Sequence, residues 1–518
     1  MQRMATDAHG WERCCNNPFE SAQIWMNHYT TTRSCRLEVA VQEFKEKIEK
    51  LAQKIDKNNR WRQRECVNLI PSETTPSPLV KLCEISDPAG RYAEHRTMKG
   101  QEVYFYQGID FIREVEEELS KEMASYFGCS RVELRTISGQ MANEVVFKAL
   151  VKFINRDRKE GEPFRKMKLV MNNELNKGGH LSSQPMGALF NYVEEDPATG
   201  QERVINFPVT KDCLYKTDTC ELEKLLEKHK PELIVFGKSM FLHKEPVEFV
   251  HNIVKNWNPK PVVMYDMAHV LGLYGILQEP FKEGADVVTG STHKTFFGPQ
   301  RGVVASNISK ESPLSKLWID IKGRAFPGST SNHHLGTLLA LLMATYEMNT
   351  FKNDYQNQIR KNAKAFARAL KDTGIHVEGD ERDGFTETHQ VVIRVSKYGR
   401  GNELAQRLEN NNIITNYQAL PDDESFLNAS GIRTGVQEMT RFGMQEKDFE
   451  ALAGYVSDVI IKNADVREKI AGFRSGFLKM RYCLSPEDGI PIMARIFSSI
   501  FPDRHFIESV MANARDLV

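Results

Sequence analysis

Between Leu69 and Val304 the chain alternates short apolar runs with longer amphipathic stretches, and few folds accommodate that rhythm. Lys168–Met171, Leu233–Phe236, Val262–Tyr265, Asp286–Thr289 and Gly302–Ala305 are rich in Val, Ile or Leu, as strands buried on both faces are. Glu114–Phe127 and Val247–Val254 read as helices between them, and Pro246 suits the first turn of the second. Strand–helix alternation predicts an α/β layer around a mostly parallel sheet, with ligands held beyond the carboxyl ends of the strands. At 518 residues the chain is too long for one hydrophobic core.

The pattern divides the chain into four parts. Residues 1–60 form an N-terminal extension and a helical arm. Residues 1–35 show no periodicity, but Leu37, Val41, Phe44, Ile48, Leu51 and Ile55 alternate four and three apart, giving one helical stripe. That stripe suits a short coiled coil or, better, an arm packed on its own dimer. Residues 61–345 form the large α/β domain. Residues 346–465 read as a smaller α+β domain, with a helix over Tyr355–Asp372 and a strand over Gln390–Val395. Residues 466–518 are a helical tail, in which Ile492, Met493, Ile496, Phe497, Ile500 and Phe501 share one face.

Charge and cysteine usage exclude several function classes. The 69 basic side chains equal the 69 acidic ones, so there is no surplus to displace phosphate counterions from nucleic acid. No apolar run reaches the roughly 18–20 residues that span a bilayer, and Met1 to Cys35 lacks an apolar signal core. The nine cysteines include no Cys-x-x-Cys pair and are odd in number, which suits a reduced cytoplasm. Cys14 and Cys15 are adjacent, but no partner sits at metal-ligand spacing.

Three strand ends carry the chemistry. Tyr265-Asp266-Met267-Ala268-His269 follows one apolar run and Ser291-Thr292-His293-Lys294 the next, so an acid and a lysine leaving adjacent strands can converge on one ligand. A lysine so placed can form a Schiff base with a carbonyl cofactor or substrate, and an acid on a pyridine nitrogen keeps that ring protonated. Taken alone, an acid and a lysine at strand ends are ordinary surface charge. The third end, Thr136-Ile137-Ser138-Gly139-Gln140-Met141-Ala142-Asn143, runs into a helix. Small residues there expose N–H groups at a positive helix terminus, which suits a phosphate as well as a plain N-cap on Ser138.

Taken together these segments are no longer ordinary, and the chain resembles the serine hydroxymethyltransferase family of fold-type-I pyridoxal-phosphate (PLP) enzymes over roughly residues 60–465. The stretches that carry the resemblance are Leu69-Ile70-Pro71-Ser72-Glu73, Arg91-Tyr92-Ala93-Glu94, Gly178-Gly179-His180-Leu181, Asp266-Met267-Ala268-His269-Val270, Thr292-His293-Lys294-Thr295, Phe326-Pro327-Gly328 and Ser430-Gly431-Ile432-Arg433. The resemblance implies a large domain with a mostly parallel sheet of the seven-stranded type and a smaller C-terminal α+β domain. It implies that Lys294 carries PLP and Asp266 meets the pyridine nitrogen. His269 and Ser239 would lie near the phenolic oxygen, with Ser291 and His293 flanking the cofactor. Ser138, Gly139 and Gln140 would hold the phosphate, reached by Gly328 and Ser329 of a neighbouring subunit. Arg433, helped by Ser72, would grip the amino-acid carboxylate, which a planar guanidinium fork suits. Glu94 would serve as acid–base near the β-hydroxyl, and Tyr92 and Tyr106 would enter from the neighbour. A site shared in this way implies a homodimer or a dimer of dimers, and an aldol reaction that makes or breaks Cα–Cβ bonds of small β-hydroxy amino acids.

Departures from the family pattern fall at the functional surface. The family's ring-stacking histidine falls at Lys177 in Leu175-Asn176-Lys177-Gly178-Gly179-His180-Leu181, leaving His180 to substitute or Lys177 to supply charge or point to solvent. The tyrosine pair becomes Phe105-Tyr106, and an asparagine that contacts the pterin becomes Gln418. Tetrahydrofolate is therefore one possible co-substrate, and a folate-free transfer of a glycyl unit from threonine to another aldehyde is the other. His95, Arg96, His333 and His334 would line a pocket for such an aldehyde or make subunit contacts.

Overall fold

The computed structural model describes residues 18–99 and 101–515, with side chains from Leu37 to Ala514 apart from Gly100. Cys14 and Cys15 lie outside them. The chain divides between Glu65 and Cys66 into two compact units. The first is dominated by one helix, α1 (Pro18–Arg60), which starts well before the apolar stripe. Residues without an apolar period can still form a helix, so the periodicity reading missed its first half. All six stripe residues are exposed, from Val41 at 42% to Leu37 at 65%.

The second unit is built on the expected seven-stranded sheet. Its strands are β1 (Arg131–Glu133), β2 (Val170–Asn172), β3 (Val204–Asn206), β4 (Leu233–Phe236), β5 (Val262–Asp266), β6 (Val287–Ser291) and β7 (Gly302–Ser306). They lie in the order β1-β7-β6-β5-β4-β2-β3. Only β7 runs against its neighbours, β1 and β6; the remaining pairs are parallel. Strands β4 to β7 are buried along their whole length, which is why they read as unbroken apolar runs. Register sets Asp266 beside Thr289, so the acid-bearing end of β5 adjoins the strand that leads to Lys294.

Helices α2 (Asp110–Phe127) and α3 (Gly139–Ile154) pack with the sheet core. A single 38-residue helix, α4 (Leu335–Asp372), contains the expected Tyr355–Asp372 helix as its second half. It leads into a four-stranded antiparallel sheet of β8 (His376–Val377), β9 (Gln390–Arg394), β10 (Asn416–Gln418) and β11 (Gly431–Gly435), ordered β8-β9-β11-β10. Helix α5 (Glu446–Lys462) packs on α4. Val67 and Asn68 pair in parallel with Ile413 and Ile414, so the segment leading to Ser72 is tied to this smaller layer.

The tail forms α6 (Pro486–Ile500), with Ser485 as its cap, and α7 (Arg504–Arg515). The expected apolar face is there, but the chain turns after Ile500, and Phe501 stacks between Phe497 at 5.4 Å and Phe506 at 5.1 Å.

Arg301 stitches the sheet to the loop before α4. Fully buried, it donates to the carbonyls of His333 (2.5 Å), His334 (3.0 Å) and Leu134 (2.6 Å) and to Thr337 Oγ1 (2.9 Å). Arg301→Met keeps the volume and strands those buried acceptors, so stability should fall by about 3 kcal/mol. Urea denaturation checks this, and a loss well under 1 kcal/mol would mean that the loop finds other donors.

Candidate functional site

The carboxyl ends of β2, β4, β5 and β6 open onto one cleft of about 1070 Å³. Ser72, Gly178, Gly179, Ser239, His269, His293, Lys294 and Arg433 line it. Segments from opposite ends of the sequence therefore meet where an open α/β sheet holds its ligands.

Asp266 anchors the floor. Burial alone would raise its pKa. Three donors overcome that and hold it below the usual carboxylate range: His180 Nδ1 at 2.5 Å, Asn143 Nδ2 at 2.7 Å and the Ala268 N–H at 2.9 Å. An ionised carboxylate only accepts, so His180 Nδ1 carries the proton. Thr289 Oγ1 donates to Asn143 Oδ1 at 2.5 Å, fixing the amide so that its N–H faces Asp266. Asn143 lies one turn into α3, so the helix that starts at the proposed phosphate cradle is bonded to the acid. Nothing in the sequence pattern marked Asn143 beyond its place at the end of the 136–143 motif.

Lys294 has no hydrogen bond or ion pair among the described residues, although it is only 9% exposed. Burial pulls its pKa down to about 8, against the opposing pull of the Asp266 carboxylate. His269 is pushed well below its usual range by burial and by the Lys294 and Arg433 cations. His293 falls to about 4 for the first two of those reasons. Both imidazoles are therefore neutral at pH 7. The His269 and His180 rings meet edge to face, 5.7 Å apart.

Arg433, on β11, is another buried cation with no carboxylate partner among the described residues. Its Nη1 donates to the Ser239 carbonyl at 2.8 Å and its Nε to Asn416 Oδ1 at 3.4 Å, and burial lowers its pKa to about 10. The Ser239 turn is held from below by Lys238, which is paired with Glu245 and donates to Tyr215 O at 2.9 Å. Lys238 is thereby withdrawn from chemistry.

The α3 terminus is closely fitted to the lysine strand. Ser138 caps the helix, accepting from Met141 N at 3.1 Å. A Cβ on Gly139 would meet Ser291 Oγ at 2.1 Å, so any larger residue there forces the serine hydroxyl to move. Gln140 follows on the same terminus.

Several expected residues lie elsewhere. Lys177 does not line the cleft: it pairs with Glu174 at 2.5 Å across a short 3₁₀ turn, and Gly178, at φ +90°, bends the chain before His180 reaches Asp266. The lysine was expected at the cofactor; the ion pair holds it away, and His180 stands at the site instead. Tyr92, Glu94, Tyr106, Gly328 and Ser329 do not line the cleft; nor do Ser138, Gly139, Gln140, His180, Asp266 and Ser291, but these are tied to its strand ends by the contacts described above. Tyr92 and Tyr106 are half-exposed with rings 5.3 Å apart, and Ser329 Oγ accepts from Lys148 at 3.5 Å. His95 and His333 are taken up by Glu116, at 3.5 Å and 2.7 Å, which favours an internal polar contact over an aldehyde pocket.

A buried lysine held near neutrality, a buried carboxylate held ionised and a glycine-bearing helix terminus fit an aldehyde, a pyridine nitrogen and a phosphate respectively. With this sheet, they define a PLP-dependent enzyme of fold type I. The serine hydroxymethyltransferase profile matches residues 44–456, and the chain belongs to that family. It is 38% identical over 430 residues to the serine hydroxymethyltransferase of Pyrobaculum calidifontis, covering 82% of this chain and 92% of the other. The Staphylothermus marinus enzyme of the same name is 38% identical over 432 residues, covering 82% and 90%. The solved structure of an L-threonine transaldolase from Pseudomonas fluorescens superposes with a TM-score of 0.74 at 26% identity, covering 89% of this chain and 98% of that one.

A lysine with a pKa of about 8 is roughly 10% neutral at pH 7, against about 0.03% for an ordinary lysine. The neutral amine is the nucleophile, so PLP uptake by the cofactor-free protein should accelerate with pH through a midpoint near 8. Stopped-flow absorbance checks this, and a midpoint above 9.5 would contradict the assigned effect of burial.

Proposed function

We propose that this chain makes and breaks the Cα–Cβ bond of a small β-hydroxy amino acid in the manner of a serine hydroxymethyltransferase, interconverting serine and glycine with one-carbon transfer. The observation that carries the proposal is the pair of buried cations in one cleft, Lys294 and Arg433, neither of which has a carboxylate partner. Bound PLP supplies the electron sink for the electrons of the broken bond. Lys294, buried and without a partner among the described residues, would hold the cofactor's aldehyde carbon. Asp266, kept ionised by His180, Asn143 and the Ala268 N–H, holds the proton on the pyridine nitrogen. Ser138, Gly139, Gln140 and the adjoining Ser291 take the phosphate.

Arg433, with Ser72 lining the same cleft, would bind the amino-acid carboxylate and so orient the substrate for reaction. Ser239, His269 and His293 complete the cofactor's surroundings. His180 takes the ring-side place that the family pattern assigned to Lys177. Glu94 handles the proton of the β-hydroxyl, and Tyr92, Tyr106, Gly328 and Ser329 complete the cleft from a second copy of the chain. Their distance from the cleft within one chain supports a homodimer or a pair of dimers, and the exposed stripe on α1 offers apolar surface for an arm. The expected compartment is the cytoplasm.

A second reading has a specific observation behind it. The likeness to an L-threonine transaldolase over 89% of the chain supports folate-free transfer of a glycyl unit to another aldehyde. Glycine formation from L-serine and from L-threonine, each with and without tetrahydrofolate, separates the two. Folate-dependent serine cleavage supports the first reading, and folate-indifferent threonine cleavage supports the second.

Two variants test the roles. Lys294→Ala should abolish the yellow lysine-bound cofactor, and a persisting lysine-dependent absorbance would overturn its assignment. Arg433→Ala should weaken amino-acid binding about 100-fold while PLP stays bound. Spectral titration with glycine reads this, and loss of cofactor with amino-acid affinity kept would reassign Arg433.

A further inference from the structure

One buried amide joins the smaller sheet to the cofactor side of the cleft. Gln390, the first residue of β9, is fully buried within one chain and reaches three groups of the large domain. Its Oε1 accepts from Phe241 N at 3.1 Å, and its Nε2 donates to Ser239 O at 3.1 Å. A backbone N–H only donates and a carbonyl only accepts, so these two contacts leave the amide one orientation. The second hydrogen on Nε2 then faces Nδ1 of His269, 3.4 Å away. His269 is buried and lines the cleft, and its Nε2 has no partner among the described residues. Burial and the charges of Lys294 and Arg433, with His180 and His389 behind them, keep the ring neutral. A neutral imidazole has one donor nitrogen and one acceptor, and the hydrogen bond made at one decides the other. An amide N–H facing Nδ1 favours a lone pair there and places the proton on Nε2.

We infer that Gln390 is a positioning residue, which holds the His269 imidazole in one tautomer so that its single N–H, on Nε2, is a donor for the bound cofactor. This rests on the reading above, in which His269 borders PLP, and adds what fixes the ring's direction of donation. At 3.4 Å the contact is long. It has only to separate two tautomers of one ring, and a single neutral hydrogen bond biases such a pair about fivefold. Gln390 also shares the Ser239 carbonyl with Arg433. One side chain of the smaller sheet therefore orders both the cofactor side and the carboxylate side of the cleft.

The test uses the PLP-loaded full chain with nitrogen-15-labelled histidine, His269 being assigned by its loss in His269→Gln. Long-range proton–nitrogen spectra distinguish a protonated ring nitrogen from a bare one. In the parent, His269 should be protonated at Nε2 alone. Gln390→Met should raise the ratio of the Nδ1-protonated form at least about fivefold, with the yellow cofactor retained and kcat for glycine formation lowered at least about twofold. That variant also strands the Phe241 N–H, so Gln390→Glu, which keeps an acceptor for it, is the second. There the proton should move to Nδ1, facing the carboxylate, and the ring should titrate at higher pH. A purely structural Gln390 would leave the tautomer alone. Nδ1–H in the parent, or Nε2–H kept in both variants, overturns the assignment, as does an unchanged kcat once the tautomer is released. If the parent cleaves neither L-serine nor L-threonine while the ring spectra respond as expected, the reaction reading falls and the positioning role stands.

Discussion

A carboxylate almost entirely out of water is costly to keep charged, and the centre of the second unit is organised around keeping one. Asp266 is only 2% exposed. Its donors come from three places: a side chain one turn into α3, a ring on the loop after β2, and the backbone of its own turn. Thr289, on the next strand, orients one of those donors. Move any of these elements and the charge loses a partner. The acid in turn moderates the depression of the Lys294 pKa, so the nucleophile depends on the same network.

The smaller sheet is joined to this centre through the loop after β4. Phe241 N donates to Gln390 Oε1 at 3.1 Å, Thr388 Oγ1 to Phe241 O at 2.5 Å, and Glu387 N to Leu242 O at 2.8 Å. The Ser239 carbonyl accepts from both Arg433 and Gln390, so the arginine is positioned by the loop whose first residues border the cofactor side. Each of these contacts uses a main-chain group of the loop after β4. Carbonyls depend on main-chain path more than on side-chain identity, so no residue pattern announces them.

Legibility in the sequence followed physical scale. Strands β4 to β7 were plain because burial on both faces leaves unbroken apolar runs. Strands β1 and β3 were missed: at three residues each, Arg131–Glu133 and Val204–Asn206 are too short to show a period. Asp266 and Lys294 stood out as candidates because strand-end chemistry and family motifs coincide on them, and the fold brings the ends of their two adjacent strands together. Of the alternatives open for Lys177, the sequence could not choose, because its pairing with Glu174 depends on the turn that Gly178 closes. The roles of Glu116, Asn143 and Thr289 could not be read, since Asn143 and Thr289 meet across 146 positions of chain and Glu116 reaches His333 across 217.

The contact between α3 and β6 has an evolutionary consequence. The space that residue 139 lacks is the space that the side chain of residue 291 fills, with Ser291 Oγ and Cβ at 2.1 Å and 3.3 Å from where a Cβ would stand. The next atom, the Gly290 carbonyl oxygen, is 3.6 Å away and tolerates it. The two sites therefore share one side chain between them. A lineage can transfer it from strand to helix through a chain with a glycine at both sites, or through one in which the Ser291 hydroxyl has swung aside. Ser291 and Gly139 are thus a linked pair of alleles within one gene, and drift at either site is confined until the other has changed.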